Sequence, residues 1–333
     1  MVVITPVGDS LANTKMPFKI GMLQYADRRG IGMTLNEAAK EFEFDCRIRH
    51  LSPKTIDNYG KQLRYLQRFL EKEFSISTVE DVKPSHIKRF LSMMDNAGRK
   101  PQYINDLLKV FKTFFNYLEA EGHIGATPTK RIRNMKLPKL KLRTFTEKNI
   151  LDMINYYNGQ SFIEIRNRAM IAMMFDTGVR LSELMELVES QIHDESIMIY
   201  GKGAKERLVP VSPFLAKALL RYSRARESYF KDALHDKEFF LSRTGKKLTS
   251  EAVAKMLKKA GKAAGVSEEI RASPHTCRHT FAHINLKNGI DLYTLSRLLG
   301  HENVSITQRY LEGITDEGVI RIARKTGVFE NIR

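Results

Sequence analysis

The segment Leu298-Leu-Gly-His-Glu-Asn-Val-Ser-Ile-Thr-Gln-Arg-Tyr310, near the carboxyl end, predicts how the second half of the chain folds. Glycine commonly ends a helix because it adopts the left-handed backbone conformation without steric cost. The leucines before Gly300 are therefore expected in a helix, with His301 at its exit. A further helix is expected just beyond the histidine, with Ile306 and Tyr310 on one face.

A basic segment, Ser273-Pro-His275-Thr-Cys-Arg278-His279, lies upstream of it. A serine cap followed by proline starts a helix, and residues three apart then share a helix face. His275 and Arg278 are therefore expected side by side. His279 and His283 have the spacing of a helical metal pair, but no HExxH glutamate and no third ligand accompany them. We predict neither a metal nor any other cofactor.

Two more basic residues lie next to glycines. Arg180 follows the turn Thr177-Gly-Val and can point away from the preceding helix; the alternative is a structural ion pair with Glu183 or Glu186. Lys202 lies between two glycines, which let a backbone approach a ligand closely, although a turn lysine is usually only exposed. The GxxxxGK[ST] spacing of a P-loop is absent, so the motif does not indicate a nucleoside triphosphate site.

The rest of the chain is mostly helical in pattern. Ser52-Pro53 starts a helix with one apolar stripe, and two β-type runs, 197–200 and 207–211, predict a small antiparallel sheet. We predict a mainly α fold: an all-helical first domain and a mostly helical second domain with this sheet. The predicted divisions are an amino-terminal arm (1–33), a helical domain (34–125), a basic linker (126–143) and a second domain with a carboxyl-terminal tail (144–333).

Composition favours a polyanionic partner. The 333 residues include 55 Lys and Arg against 38 Asp and Glu, a formal net charge of +17 with a pI near 9.7. Charge of this size along the whole chain indicates nucleic acid as the partner. Two cysteines, Cys46 and Cys277, lie in unrelated contexts and suggest no disulfide framework. No segment has the length and apolarity of a membrane span, so we expect a cytoplasmic protein without a membrane partner.

Taken together and in order, these motifs resemble the tyrosine recombinases, also called the phage-integrase family, of the Xer and integrase type. The helical first domain is similar to that family's core-binding domain. Cys277 stands where the family usually has leucine, a departure that leaves both neighbouring catalytic positions intact. The matching segments are Thr177-Gly-Val-Arg180-Leu-Ser-Glu-Leu184, Gly201-Lys-Gly-Ala-Lys-Glu-Arg-Leu-Val-Pro210, His275-Thr-Cys-Arg278-His279-Thr280 and Leu298-Leu-Gly-His301 through Tyr310.

The resemblance implies transesterification of a DNA phosphodiester. Tyr310 would attack the scissile phosphate and form a 3′-phosphotyrosine link, which stores the bond for rejoining. Arg180 and Arg278 would hold the non-bridging oxygens, and His275 and His301 would add hydrogen bonds or move protons. Lys202 would be the general acid that protonates the departing 5′ oxygen.

The resemblance also implies the partners: double-stranded DNA with a specific core site, and a homo-tetramer that forms and resolves a Holliday junction. The carboxyl-terminal tail would dock on a neighbouring protomer, and the DNA-bound protein would be associated with the nucleoid. Basic residues on the helix that starts at Ser52-Pro53, off its apolar stripe, and in the linker and the hairpin are expected to contact DNA: Lys54, Lys61, Arg64, Arg68, Lys139, Lys141, Arg143, Lys205 and Arg207.

Two other functions share these features. A type IB topoisomerase uses the same chemistry, and a catalytically silent DNA-binding regulator would keep the basic surfaces alone. The sequence leaves open integration, transposition of a mobile element, or resolution of chromosome dimers. Because few apolar residues surround Tyr310 in its own helix, we expect DNA and a neighbouring protomer to place it as much as its own chain does.

Overall fold

A computed structural model describes residues 32–138, 143–201, 206–231, 233–311 and 320. The chain divides into two compact units after Pro138, which lies inside the predicted linker. Each unit has its own buried apolar core. In the part of the chain that the structure describes, no helix combines the length and the apolarity that a membrane span requires.

The first unit is helical, as predicted, and contains four helices among its described residues. They are α1 (Leu35–Ile48), α2 (Pro53–Phe74), α3 (Pro84–Asn96) and α4 (Pro101–Ala120). Ser52 caps α2 through a hydrogen bond from the Thr55 amide to its hydroxyl, and Pro53 occupies the first turn. Large aromatic residues of these helices are fully buried and pack the interior of the unit: Phe42, Phe90, Phe111, Phe114 and Phe115.

The first half of the predicted basic linker is folded onto the first unit and is not a free tether there. Thr129 and Ile132 are buried, and the Asn105 side chain exchanges two hydrogen bonds with the backbone of Met135, at 2.8 and 2.9 Å. Ile132 and Met135 pack against the apolar core of the first unit, while Lys130, Arg131 and Arg133 beside them are exposed. Net charge alone therefore did not predict the packing.

The second unit is mostly helical, with one two-stranded sheet. Strand β1 (Ser196–Tyr200) pairs antiparallel with β2 (Glu206–Pro210), which confirms the predicted hairpin. A single 3-10 turn, Glu189–Gln191, precedes β1. The helices are α5 (Glu147–Tyr156), α6 (Phe162–Thr177), α7 (Leu181–Glu186), α8 (Pro213–Phe230), α9 (Ser250–Ala263), α10 (Pro274–Lys287), α11 (Leu292–Leu299) and α12 (Ser305–Gln308).

Helix ends place the basic residues of the second unit. Gly178 ends α6 and Gly300 ends α11, both with left-handed backbones (φ 61° and 64°), as the motifs predict. The Ser273 hydroxyl accepts from the Thr276 amide and starts α10. Helix α10 packs against both α6 and α11, so these three helix ends come together within one unit.

Candidate active site

Arg180 lies at the start of α7, directly after the glycine turn. Glu183 reaches back to it: its carboxylate accepts from the Arg180 amide at 2.8 Å and from Arg180 Nη1 at 2.9 Å. The second guanidinium nitrogen donates to the Gly300 carbonyl at 3.1 Å. The ion pair that the sequence offered as a structural alternative is therefore present, and it holds Arg180 beside the exit of α11.

Arg207, on β2, shares the same carboxylate. Its Nη1 and Nη2 donate to Glu183 at 3.0 and 2.7 Å, and its Nε donates to the Leu298 carbonyl at 2.8 Å. The side chain is only 10% exposed. Arg207 was predicted to contact DNA, but in this structure a buried carboxylate and a backbone carbonyl occupy its guanidinium.

Glu183 carries a negative charge between two arginines. Burial opposes that charge by raising the pKa of the carboxyl, but hydrogen bonds and charge from Arg207, and hydrogen bonds from Arg180, outweigh burial and lower the pKa. The carboxylate is therefore ionised at neutral pH and compensates part of the positive charge of the site.

Arg278, on α10, is buried and points at both glycine-terminated helix ends. Its Nη1 donates to the Gly178 carbonyl at 2.7 Å, and its Nη2 donates to the Leu299 carbonyl at 2.6 Å. Burial, with repulsion from Arg180, lowers the pKa of Arg278 to about 10, so the guanidinium stays charged at neutral pH. Arg180 and Arg278 are close enough for their charges to repel each other, and two such guanidinium groups together suit an anion such as a phosphate.

His301 lies at the exit of α11, as predicted, in one defined tautomer. Its Nε2 is 3.0 Å from Arg278 Nη2, which can only donate, so Nε2 accepts. Nδ1 then carries the proton and donates to the Thr307 hydroxyl at 2.7 Å. Burial and the charge of Arg278 lower the pKa of His301 to about 4, so the ring is neutral at pH 7.

Tyr310 is already seated in this isolated chain, so the expectation that DNA or a neighbour would place it is wrong. Its ring is 4% exposed and packs in a cluster with Phe281, Leu295 and Leu299 of α10 and α11. Helix α12 is a single turn whose Ile306 faces solvent, contrary to the expected shared face. The tyrosine supplies the apolar contact itself, which a count of neighbouring apolar residues did not include.

The charges around Tyr310 act in opposite directions on its hydroxyl. Burial raises the pKa of Tyr310, while the charge of Arg278, then Arg309, and a hydrogen bond from Arg278 lower it; burial prevails. The hydroxyl is therefore protonated at neutral pH and must lose its proton to become a nucleophile.

His275 and His279 lie on α10 next to this tyrosine. Their ring centroids are 4.0 Å apart, and the His279 ring meets the Tyr310 ring edge to face at 5.2 Å. Burial, and then the charge of Arg278, lowers the pKa of His275. Burial and the neighbouring His275 lower the pKa of His279 to about 4, so both rings favour the neutral form.

The His279 ring makes stability depend on pH. An unfolded histidine binds a proton below its usual pKa of about 6.5, whereas folded His279 binds one only near pH 4. The stabilisation is complete above pH 6.5 and is lost as pH falls towards 4. We expect His279→Leu to reduce the difference in unfolding free energy between pH 7 and pH 5 by about 1–2 kcal/mol, measured by urea unfolding.

The control for that measurement is His193→Leu, because His193 lies exposed in the loop before β1. Its removal should leave the difference between the two pH values as in the wild type. Equal pH dependence in all three proteins would contradict the assignment of this effect to His279.

Cys277 fills the position between the two catalytic candidates of α10. It is fully buried in the core of the second unit, and burial raises the pKa of its thiol. It therefore packs as a small apolar residue in place of leucine. Within the ranges that the structure describes, no three His, Cys, Asp or Glu side chains lie close enough together to hold a metal ion.

The remaining predicted site residues divide into two groups. Lys54, Lys61, Arg64 and Arg68 are exposed along α2, and Lys61 pairs with Asp57 at 2.7 Å. Arg143 is exposed and pairs with Glu269. Four of the predicted residues lie outside the described residues: Lys139, Lys141, Lys202 and Lys205.

Three residues of the site were missed from the sequence: Glu183, weighed only as a structural partner, Arg207, assigned to DNA, and Thr307. Glu183 had a signal, since an acid three residues after the first position of a helix commonly caps it. Arg207 and Thr307 had none, because their partners lie on other elements.

Family models match both units of the chain, and curated relatives match along most of its length. The phage integrase family matches residues 143–315, and the phage integrase N-terminal SAM-like domain matches residues 46–122. The tyrosine recombinase XerD of Halalkalibacterium halodurans is 30% identical over 281 residues, which cover 83% of this chain and 93% of the relative. The tyrosine recombinase XerC of the same organism is 32% identical over 266 residues, 78% of this chain and 86% of the relative.

Two solved structures share the fold. The Tn1549 transposon integrase, in complex with a circular intermediate DNA, superposes with a TM-score of 0.71 at 19% identity, over 89% of this chain and all of the other. The XerH site-specific recombinase, bound to a palindromic difH substrate, superposes with a TM-score of 0.69 at 20% identity, over 88% of this chain and 85% of the other. The chain therefore belongs to the phage integrase family, the tyrosine recombinases.

Proposed function

We propose that this enzyme cuts and rejoins double-stranded DNA at a specific core site through a 3′-phosphotyrosine intermediate. The observation that supports this most is the burial of Tyr310 beside Arg278 and His301, within reach of the charge of Arg180. A phosphodiester gains negative charge at its non-bridging oxygens during attack, and two guanidinium groups stabilise that charge. The charges of Arg278 and Arg309 offset part of the effect of burial, which keeps the Tyr310 hydroxyl protonated before attack.

The reaction exchanges one phosphodiester for another. The Tyr310 oxygen bonds to phosphorus, the bond from phosphorus to the 5′ oxygen breaks, and the tyrosine proton leaves. Neutral His275 can accept that proton, since burial favours its uncharged form, while His301 stays bonded to Arg278 and Thr307. Lys202 would protonate the departing 5′ oxygen. Attack of a 5′-hydroxyl on the phosphotyrosine reverses these steps and rejoins a strand without a nucleoside triphosphate.

Replacement of Tyr310 by phenylalanine tests this chemistry. The core site is first recovered by selecting bound duplexes from a randomised pool, and a nicked suicide duplex of that sequence then traps the covalent adduct. We expect the wild type to form an adduct at the 3′ phosphate and Tyr310→Phe to form none, because the ring remains while the nucleophile is removed. Denaturing gels of labelled duplex measure the adduct.

The matched control is Tyr293→Phe on α11, since that tyrosine is largely exposed. It should form adduct at the wild-type rate. A selected site on which the wild type forms no adduct would refute the recombinase and leave the DNA-binding regulator. Relaxation of plasmids without the site, by a protein that does not join two sites, would favour the topoisomerase.

We propose that the exposed face of α2 holds the DNA backbone. Phosphate contacts make binding salt-dependent, and each lost contact lowers the slope of log K against log salt by about one. We expect the combined replacement of Lys54, Arg64 and Arg68 by alanine to reduce that slope by about 2–3, measured by fluorescence anisotropy. Lys148→Ala, an exposed lysine paired with Asp152, is the control, and equal slopes would contradict the proposal.

We further propose that four protomers act on two sites through a Holliday junction, with the tail after residue 311 docked on a neighbouring protomer. The family resemblance supports this arrangement, as does the need to exchange strands between two cut duplexes. The size of the complex that the full chain and residues 1–311 form on DNA tests it: an unchanged synapse without the tail would contradict docking.

Cytoplasmic location with nucleoid association follows from the proposed DNA binding and is checked by fluorescence microscopy.

A further inference from the structure

We infer that Arg207 is a positioning residue that holds Arg180 in place through the carboxylate of Glu183. This inference rests on the proposed function, since it concerns the geometry of the phosphate site. It assigns to strand β2 a part in catalysis that does not require Arg207 to touch the DNA.

Arg180 and Arg207 share the carboxylate of Glu183. Glu183 Oε1 accepts from Arg180 Nη1 at 2.9 Å and from Arg207 Nη1 at 3.0 Å, while Oε2 accepts from the Arg180 amide at 2.8 Å and from Arg207 Nη2 at 2.7 Å. Each oxygen thus joins both residues. The carboxylate can rotate only if it breaks hydrogen bonds to both, so Arg207 fixes the orientation in which Arg180 is held.

The two arginines differ in burial. The side chain of Arg180 is 40% exposed, and that of Arg207 is 10% exposed. Of these two guanidinium groups, that of Arg180 is the more accessible to a phosphate from solution, and that of Arg207 is enclosed by its protein partners. The carboxylate therefore links an anchored arginine on β2 to an arginine that faces the ligand.

Both arginines also bind the backbone at the exit of α11. Arg207 Nε donates to the Leu298 carbonyl and Arg180 Nη2 donates to the Gly300 carbonyl, so the two arginines hold the carbonyls on either side of Leu299. A Cβ at Gly300 would lie 3.0 Å from both Cδ and Nη1 of Arg207. The glycine thus allows Arg207 to lie against the backbone just before His301. Arg207 thereby aligns Arg180 with the exit of α11.

The experiment compares Arg207→Lys with Arg226→Lys. Arg226 is also buried and pairs with a carboxylate, Glu189, at 2.9 Å, but that pair lies on α8 and the 3-10 turn. A lysine keeps the charge and loses the fork that bridges Glu183 and Leu298. We expect Arg207→Lys to slow single-turnover adduct formation by about 10- to 100-fold, with duplex affinity changed less than about 2-fold, because misplaced groups reduce rate more than binding. Arg226→Lys should cleave at the wild-type rate.

A stereochemical readout separates positioning from simple destabilisation. Sulfur at either non-bridging position of the scissile phosphate is a poorer acceptor, so the ratio of the rates for the Rp and Sp duplexes reports how each guanidinium is placed. We expect Arg207→Lys to shift that ratio at least about 3-fold, in the direction of Arg180→Lys, while Arg226→Lys keeps the wild-type ratio. Glu183→Gln, which keeps the shape of the side chain, should give the same shift and serves if Arg207→Lys does not fold.

A double-mutant cycle completes the test. If Arg207 acts through Arg180, the variant with both lysines should be within about 3-fold of the slower single variant. Multiplication of the two defects, or a wild-type Rp/Sp ratio in both Arg207→Lys and Glu183→Gln, would overturn the inference while the wild type still cleaves. Absence of adduct with the wild type would instead overturn the proposed function, and this inference with it.

Discussion

Replacement of Glu183 by alanine is expected to lower the free energy of unfolding by about 3–5 kcal/mol, the usual result when one partner of a buried ion pair is removed. The carboxylate is 5% exposed and accepts four hydrogen bonds, two from Arg180 and two from Arg207. Its loss leaves the buried guanidinium of Arg207 without a counter-ion. Urea unfolding followed by circular dichroism measures the change, since the chain has no tryptophan.

The control is Glu43→Ala. Glu43 pairs with Arg47 at 2.6 Å, as short as the buried pair, but the two side chains are 40% and 67% exposed. Solvent screens that pair, so we expect a loss of about 0–1 kcal/mol. Burial, and not the distance between the charges, should decide the cost. Similar losses in the two variants would show that the network around Glu183 contributes no more than a surface pair.

Replacement of Gly178 by alanine is the second change with a large expected effect, about 2–5 kcal/mol of lost stability. A left-handed backbone costs a non-glycine residue about 1–2 kcal/mol, and a crowded methyl group adds about 1–3 kcal/mol. The new Cβ would lie 2.8 Å from Cγ of Phe281, which must move with α10. Because Arg278 is on the same helix and donates to the Gly178 carbonyl, adduct formation should slow by about 10-fold or more.

Gly265→Ala separates the two parts of that cost. Gly265 has nearly the same backbone conformation, φ 62° against 61°, and a Cβ there would meet no atom within 4 Å. We expect a loss of about 1–2 kcal/mol from backbone strain alone, with unchanged cleavage. Equal losses at both glycines would contradict the assigned contact with Phe281.

The sequence was most informative where the interactions are local. Helix starts at Ser52-Pro53 and Ser273-Pro274 and helix ends at Gly178 and Gly300 were predicted correctly. Each is set by a side chain and the backbone within a few residues of it.

The formal charge of a residue did not predict whether its side chain is exposed or buried and paired. Arg207 has the same formal charge as the arginines along α2 and follows a lysine-rich turn, so the sequence assigned it to DNA. Its partners, Glu183 and the Leu298 carbonyl, are 24 and 91 residues away. Only the packing of β2 against α11 reveals that this charge is buried and paired.

For the catalytic candidates, sequence determined which residues are present, and tertiary structure determined where they lie. The sequence determined that the chain has the ordered set of Arg180, Lys202, His275, Arg278, His301 and Tyr310, because motif spacing is a property of the chain itself. Tertiary structure alone decided that the tyrosine is buried between α10 and α11 without DNA. It also decided that Arg180 is held by Glu183, which in turn pairs with Arg207. Contacts between residues far apart in sequence depend on how the helices pack, and local periodicity carries no information about them.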